Sequence, residues 1–115
     1  SDIVIAVLGD TMKTCGEGTD RVDLDLPGVQ MQLLAALVAT RKPIVLVLVH
    51  GRPVTFGPHN SLLDDVSVVL ASWIGGEEQG PAIWSIINGE FNPSGRLAQV
   101  RATLARGLVS ALSDF

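Results

Sequence analysis

Apolar residues gather in three short runs at positions 3–8, 44–49 and 66–73, rich in valine, isoleucine and leucine. They run continuously instead of alternating with polar residues, the pattern of parallel β-strands buried on both faces. Between the first two, Val29, Leu33, Ala36 and Leu37 recur at helical spacing, entered through Pro27-Gly28 and closed before Pro43; they predict a helix over 29–40. A second helix is predicted over 79–88. Pro81 sits near its start, Ile83, Ile86 and Ile87 form an apolar side, and Gly89 suits a C-terminal cap. Prolines and a glycine make 52–59 a loop, 60–65 suits a short helical turn, and Phe91-Asn92-Pro93-Ser94-Gly95 is a turn cluster. Beyond it, Leu97, Val100, Leu104, Leu108, Leu112 and Phe115 recur every three or four residues, an amphipathic helical stripe. The order strand, helix, strand, short helix, strand, helix predicts an α/β fold. Its expected form is a three-layer sandwich around a mostly parallel, doubly wound, flavodoxin-like sheet with right-handed crossovers. The first strand begins without a lead-in, so this domain is expected to be an incomplete piece of a longer protein.

With 115 residues, 47% hydrophobic and 17% charged, the chain has a globular composition and the size of one domain or part of one. A formal charge of −4 disfavours nucleic acid and anionic membrane surfaces as partners, since neither attracts a net anion. A single cysteine excludes an internal disulfide and leaves the compartment open. The apolar runs are far too short to span a bilayer, and the first residues lack the pattern of a secretory signal, so a soluble domain is expected.

The charge is unevenly placed. The first 30 residues hold six acids (Asp2, Asp10, Glu17, Asp20, Asp23, Asp25) against Lys13 and Arg21, while the other 85 balance six acids with six bases. The whole net charge therefore sits around the exit of the first strand, where open α/β sheets place their ligands. There Glu17 stands between Gly16 and Gly18, which present its carboxylate without side-chain obstruction. Such a group serves as a general acid/base where burial or a neighbouring acid favours its protonated form; the plainer reading is a solvated loop glutamate. Asp20-Arg21 reads as an ion pair or loop-fixing network before it reads as a ligand contact. Asp23 and Asp25 alternate with Leu24 and Leu26, suggesting an extended edge with exposed acids.

Other candidates carry weaker chemistry. Cys15 is a nucleophile only beside a base, and neither His50 nor His59 has a cysteine-hydrolase context, so a packed thiol is expected. No HExxH-like spacing joins the histidines to Glu17 or Glu77, so no metal and no cofactor is expected. Gly75-Gly76-Glu77-Glu78-Gln79-Gly80 makes a glycine-rich strand-to-helix turn, but its two acids repel phosphate, and neither GxxxxGK[ST] nor GxGxxG occurs. Trp73 suits stacking on a sugar face or a place in the core. Gly51-Arg52-Pro53 is a strand-exit turn whose arginine can face a ligand.

Together these segments resemble the C-terminal α/β sandwich domain of glycoside hydrolase family 3, the β-glucosidase and β-xylosidase type. The resemblance rests on Gly16-Glu17-Gly18-Thr19-Asp20-Arg21 running into Leu24-Asp25-Leu26-Pro27-Gly28-Val29-Gln30, and on Lys42-Pro43-Ile44-Val45 through Gly51-Arg52-Pro53. It continues with Trp73, Gly75-Gly76-Glu77-Glu78-Gln79-Gly80-Pro81-Ala82-Ile83, and Gly89-Glu90-Phe91-Asn92-Pro93-Ser94-Gly95-Arg96-Leu97. These motifs stand in the family's order over residues 3–98, which makes 1–98 a partial family domain and 99–115 a divergent amphipathic tail.

The resemblance implies a retaining exo-β-glycosidase of carbohydrate catabolism, acting on a β-linked oligosaccharide or glycoside. An aspartate on a separate N-terminal barrel domain would attack the anomeric carbon, and Glu17 would protonate the leaving oxygen. Asp20 and Arg21 would hold the loop, with Arg52, Trp73 and Glu77 orienting it or touching substrate. Some branches of the family carry the acid/base two positions earlier, where this chain has Cys15. The segment alone is expected to be inactive, because the barrel and its nucleophile lie outside it. Two readings from other classes stay open: a non-catalytic sugar-binding or assembly module whose tail packs on the sheet or a partner, and a nucleotide-binding flavodoxin-like domain.

Overall fold

A computed structural model describes residues 1–97; the tail at 99–115 and the boundary after 98 lie outside the described residues. In chain order the elements are β1 (Val4–Gly9), α1 (Gln30–Val38), β2 (Ile44–Val49), a 3₁₀ helix (Gly57–Asp65), β3 (Val68–Ala71) and α2 (Gln79–Ile87). The strands form one sheet in the order β1-β2-β3, and both pairings are parallel. Val4 of β1 lies opposite Ile44, and Val68 of β3 lies opposite Val45. Parallel neighbours need a connection that returns the length of the sheet. Here α1 and the 3₁₀ helix supply those returns, and they pack against each other. The α/β class is therefore present, and the strand order shows no reversal among the described strands.

One face of the sheet carries the main core. Ala6 and Leu8 of β1 and Ile44, Leu46 and Leu48 of β2 pack with Met31 and Leu34 of α1, together with Leu26, Val54 and Phe56 from the loops. On the opposite face Val47 is fully buried, but Ile5 and Val7 are 42% and 61% exposed. The expected burial on both faces thus holds for central β2 and fails for β1 and for β3, where Val68 is 51% exposed. Among the described strands β1 has a neighbour on one side only, and no described element covers its outward side chains Ile5 and Val7.

The helix α1 buries a different stripe from the one its spacing suggests. Met31 and Leu34 are buried and Leu37 and Val38 pack on the core, whereas Val29 and Leu33 are exposed. The helix is apolar on more than one side, so periodicity alone leaves its rotation open. Gln30 resolves it. Its carboxamide is tied to Gly9 at the end of β1, which turns the flank bearing residues 30, 34, 37 and 38 toward the sheet.

Two further departures shape the exits of the sheet. β3 stops at Ala71, short of the predicted 73, because Trp73 adopts a left-handed backbone (φ 57°) that no strand accommodates. Asp25 is half-buried, not exposed: it forms an isolated parallel bridge with Thr55 and accepts a hydrogen bond from the Thr55 hydroxyl. Among the described residues no helix is long and apolar enough to cross a membrane.

Candidate active site

The loop that leaves β1 is anchored first at Gly9. A Cβ on Gly9 would lie 1.7 Å from the Val49 carbonyl oxygen, so glycine lets β1 and β2 stay paired to their ends. The free side of Gly9 is satisfied by Gln30. The Gly9 amide donates to its Oε1 at 2.7 Å, and its Nε2 donates to the carbonyls of Gly9 at 2.8 Å and Pro27 at 3.1 Å. An amide side chain here takes the place of a strand neighbour.

Asp10 follows, its backbone N–H donating to the Val49 carbonyl at 2.9 Å. Its carboxylate is 1% exposed and forms an ion pair with Arg21 Nη1 at 3.0 Å. It also accepts hydrogen bonds from Thr14 Oγ1 and from the Gly51 amide, each at 3.3 Å. Arg21 reaches further, donating from Nη2 to the Asp25 carbonyl. Arg52, at the exit of β2, donates to the Thr19 carbonyl at 3.1 Å. The ion pair is therefore Arg21 with Asp10, while Asp20 stays exposed.

Inside these ties the chain turns tightly. Thr14 and Cys15 donate backbone N–H groups to the Thr11 carbonyl, and Thr19 Oγ1 donates to the Gly16 carbonyl at 2.6 Å. Cys15 packs its sulfur on Gly51, where a Cβ would come within 2.2 Å of Sγ. The thiol is half-buried against backbone, as a packing group would be. Glu17 lies exposed between Gly16 and Gly18, and Gly18 has a left-handed φ of 76°.

The exits of β2 and β3 come together beside this loop. His50 is fully buried; its Nδ1–H donates to the Arg52 carbonyl at 2.8 Å, which assigns the proton to that nitrogen. Its ring meets Trp73 with centroids 4.5 Å apart at 47°. Gln79 holds Trp73 in its left-handed conformation, donating to the Trp73 carbonyl at 2.8 Å and to Ser72 Oγ at 3.1 Å. Trp73 also borders an open groove of about 540 Å³ with Leu70, Ile86, Phe91 and Pro93. Glu77 is exposed on the turn between β3 and α2. Among the described residues no three His, Cys, Asp or Glu side chains are grouped to hold a metal ion.

An exposed carboxylate on a clamped loop, with an arginine and an indole at neighbouring strand ends, suits a ligand approaching the carboxyl edge of the sheet. Residues 1–106 match the glycosyl hydrolase family 3 C-terminal domain. The chain belongs to this family. It is 44% identical over 97 residues to a β-xylosidase of Formosa agariphila, covering 84% of this chain and 13% of that protein. A periplasmic β-glucosidase of Salmonella typhimurium is 38% identical over 97 residues, with 84% of this chain and 12% of that protein covered. The crystal structure of a β-glucosidase from Listeria innocua in complex with glucose superposes with a TM-score of 0.79 at 29% identity. That match covers 89% of this chain and 14% of the other. The chain thus spans about an eighth of the curated relatives it matches.

Of the residues the sequence singles out, Arg21 and Arg52 tie the loop that carries Glu17 and Trp73 lies at the neighbouring strand exit, while Asp20 and Glu77 stay exposed; Asp10, Gln30 and Gln79 were not singled out. Each missed residue bonds to backbone or side chains far away or across a turn, so no local pattern reveals it. The hints are position, since Asp10 and Gln79 each stand beside a glycine at a strand exit or helix entry, and the presence of Gln30 and Gln79 within the motifs that carry the resemblance.

Proposed function

We propose that this chain is the acid/base-bearing segment of a retaining exo-β-glycosidase, with Glu17 as the group that protonates the leaving oxygen. The observation that carries this reading is the placement of Glu17: an exposed carboxylate between two glycines, on a loop fixed at both ends beside the exits of β1 and β2. Retention of configuration needs a second carboxyl about 5 Å away to attack the anomeric carbon. In this reading an N-terminal barrel domain of the same protein supplies it. Glu17 donates its proton as the glycosidic bond breaks and the nucleophile forms an ester to the sugar. It then takes a proton from the water that cleaves the ester. Arg21 and Arg52 orient the loop, and Asp20, Trp73 and Glu77 flank the approach of a β-linked glycoside.

The test is the dependence of rate on leaving group in the full-length protein that carries this segment. Glu17→Gln should lower kcat/KM on an unactivated disaccharide by about 10²- to 10⁴-fold, the usual worth of general acid catalysis. A 2,4-dinitrophenyl glycoside, whose leaving group departs without a proton, should suffer far less at the glycosylation step. Azide should restore turnover of that substrate by Glu17→Ala, releasing the glycosyl azide with retained configuration. Normal turnover of the disaccharide by Glu17→Gln would sink the role given to Glu17.

A further inference from the structure

We infer that Asp10 is a positioning residue for the acid/base, holding the Glu17 carboxylate at its working place through both flanks of its loop. This inference rests on the assignment of Glu17. The two glycines beside Glu17 offer no side-chain packing and permit many backbone conformations, so the loop's shape has to be imposed from outside. Asp10 is placed to impose it. Its carboxylate is 1% exposed and gathers donors from three separate stretches: Thr14 before Glu17, Arg21 after it, and the Gly51 amide at the exit of β2.

The ion pair is also committed to its geometry. Arg21 is 16% exposed, so the pair is largely withdrawn from water and each charge depends on the other. Arg21 divides its guanidinium between Asp10 and the Asp25 carbonyl, which ties the far end of the loop to the strand-like bridge at Thr55. Arg52 closes the remaining freedom at Thr19. A carboxylate that only filled space could be replaced by any residue of its size. One that converges three donors around a glycine-flanked acid sets where that acid stands.

The experiment compares two substrates of the full-length protein carrying this segment. Asp10→Asn keeps the shape and removes the charge that holds Arg21. It should lower kcat/KM on an unactivated disaccharide by about 10- to 100-fold, the scale of a displacement near 1 Å of a catalytic group. On a 2,4-dinitrophenyl glycoside the loss should stay below about 3-fold, since that reaction does not draw on the acid. Arg21→Lys, which keeps the charge but cannot reach both Asp10 and the Asp25 carbonyl, should give an intermediate loss with the same selectivity. Equal losses on both substrates, or none on either, would reduce Asp10 to a support of the fold and overturn the inference. If Glu17→Gln shows the selective loss and Asp10→Asn does not, Asp10 alone is misassigned. If Glu17→Gln shows none, the reading of Glu17 fails and the role of Asp10 toward it falls with it.

Discussion

Uncharged amides set the ends of the outer strands, although acids dominate the composition of the first loop. Gln30 closes the free side of Gly9 at the end of β1, and Gln79 holds the Ser72-Trp73 exit of β3. Each satisfies backbone groups that would otherwise lose a partner, and orphaning a buried polar group costs about 1–3 kcal/mol. Gln30→Ala should therefore lower the unfolding free energy of the chain by that amount, measured by urea titration. Gln32→Ala on the exposed side of the same helix should change it by less than about 0.5 kcal/mol. Equal effects of the two would mean that the Gly9 clamp is dispensable. The exposed position of Glu17 was legible in the sequence because its flanking glycines are adjacent to it. Gln30 was not, since its partner lies 21 residues away. The Asp10 carboxylate was counted as charge, and its pairing with Arg21, 11 residues on, appears only when the loop closes.

Elements were more legible than residues, for a physical reason. A buried parallel strand needs an unbroken apolar run, and β1 and β2 lie where such runs lie. The run at 66–73 overshoots β3 because hydropathy does not register the backbone reversal at Trp73. The 3₁₀ helix starts at Gly57, earlier than the turn expected at 60–65, with a proline in its first positions. For α1 the existence of the helix was plain and its rotation was not. The two candidate stripes give opposite expectations for neighbouring leucines, which makes the rotation measurable. Leu34 is fully buried, so Leu34→Ala should cost about 2–5 kcal/mol of unfolding free energy. Leu33 points outward and is 49% exposed, so Leu33→Ala should stay within about 0.5 kcal/mol. The reverse ranking in the same urea titrations would mean that α1 packs through the Val29–Leu33–Ala36 stripe.

At the scale of the whole molecule, the proposed reading gives the chain one carboxylate of a chemistry that needs two. It spans 13% of the Formosa agariphila β-xylosidase it resembles and 14% of the Listeria innocua β-glucosidase chain. Glu17 stands exposed at the edge of the sheet, whereas a glycosidic oxygen is protonated efficiently in a site that excludes water. The second carboxyl would have to sit about 5 Å from the first on the opposite side of the scissile bond. In the proposed reading it belongs to the barrel domain, and that domain also closes the site over Glu17. The 115-residue chain by itself should therefore release no 4-nitrophenolate from 4-nitrophenyl β-glucoside or β-xyloside above the buffer rate. The full-length protein carrying the same segment should turn over at least one of them. Turnover by the chain alone that vanishes in Glu17→Gln would place both carboxylates within these 115 residues and remove the need for a second domain. Turnover by the chain alone that survives Glu17→Gln would equally overturn the expected inactivity and would move the chemistry to others of its twelve acids.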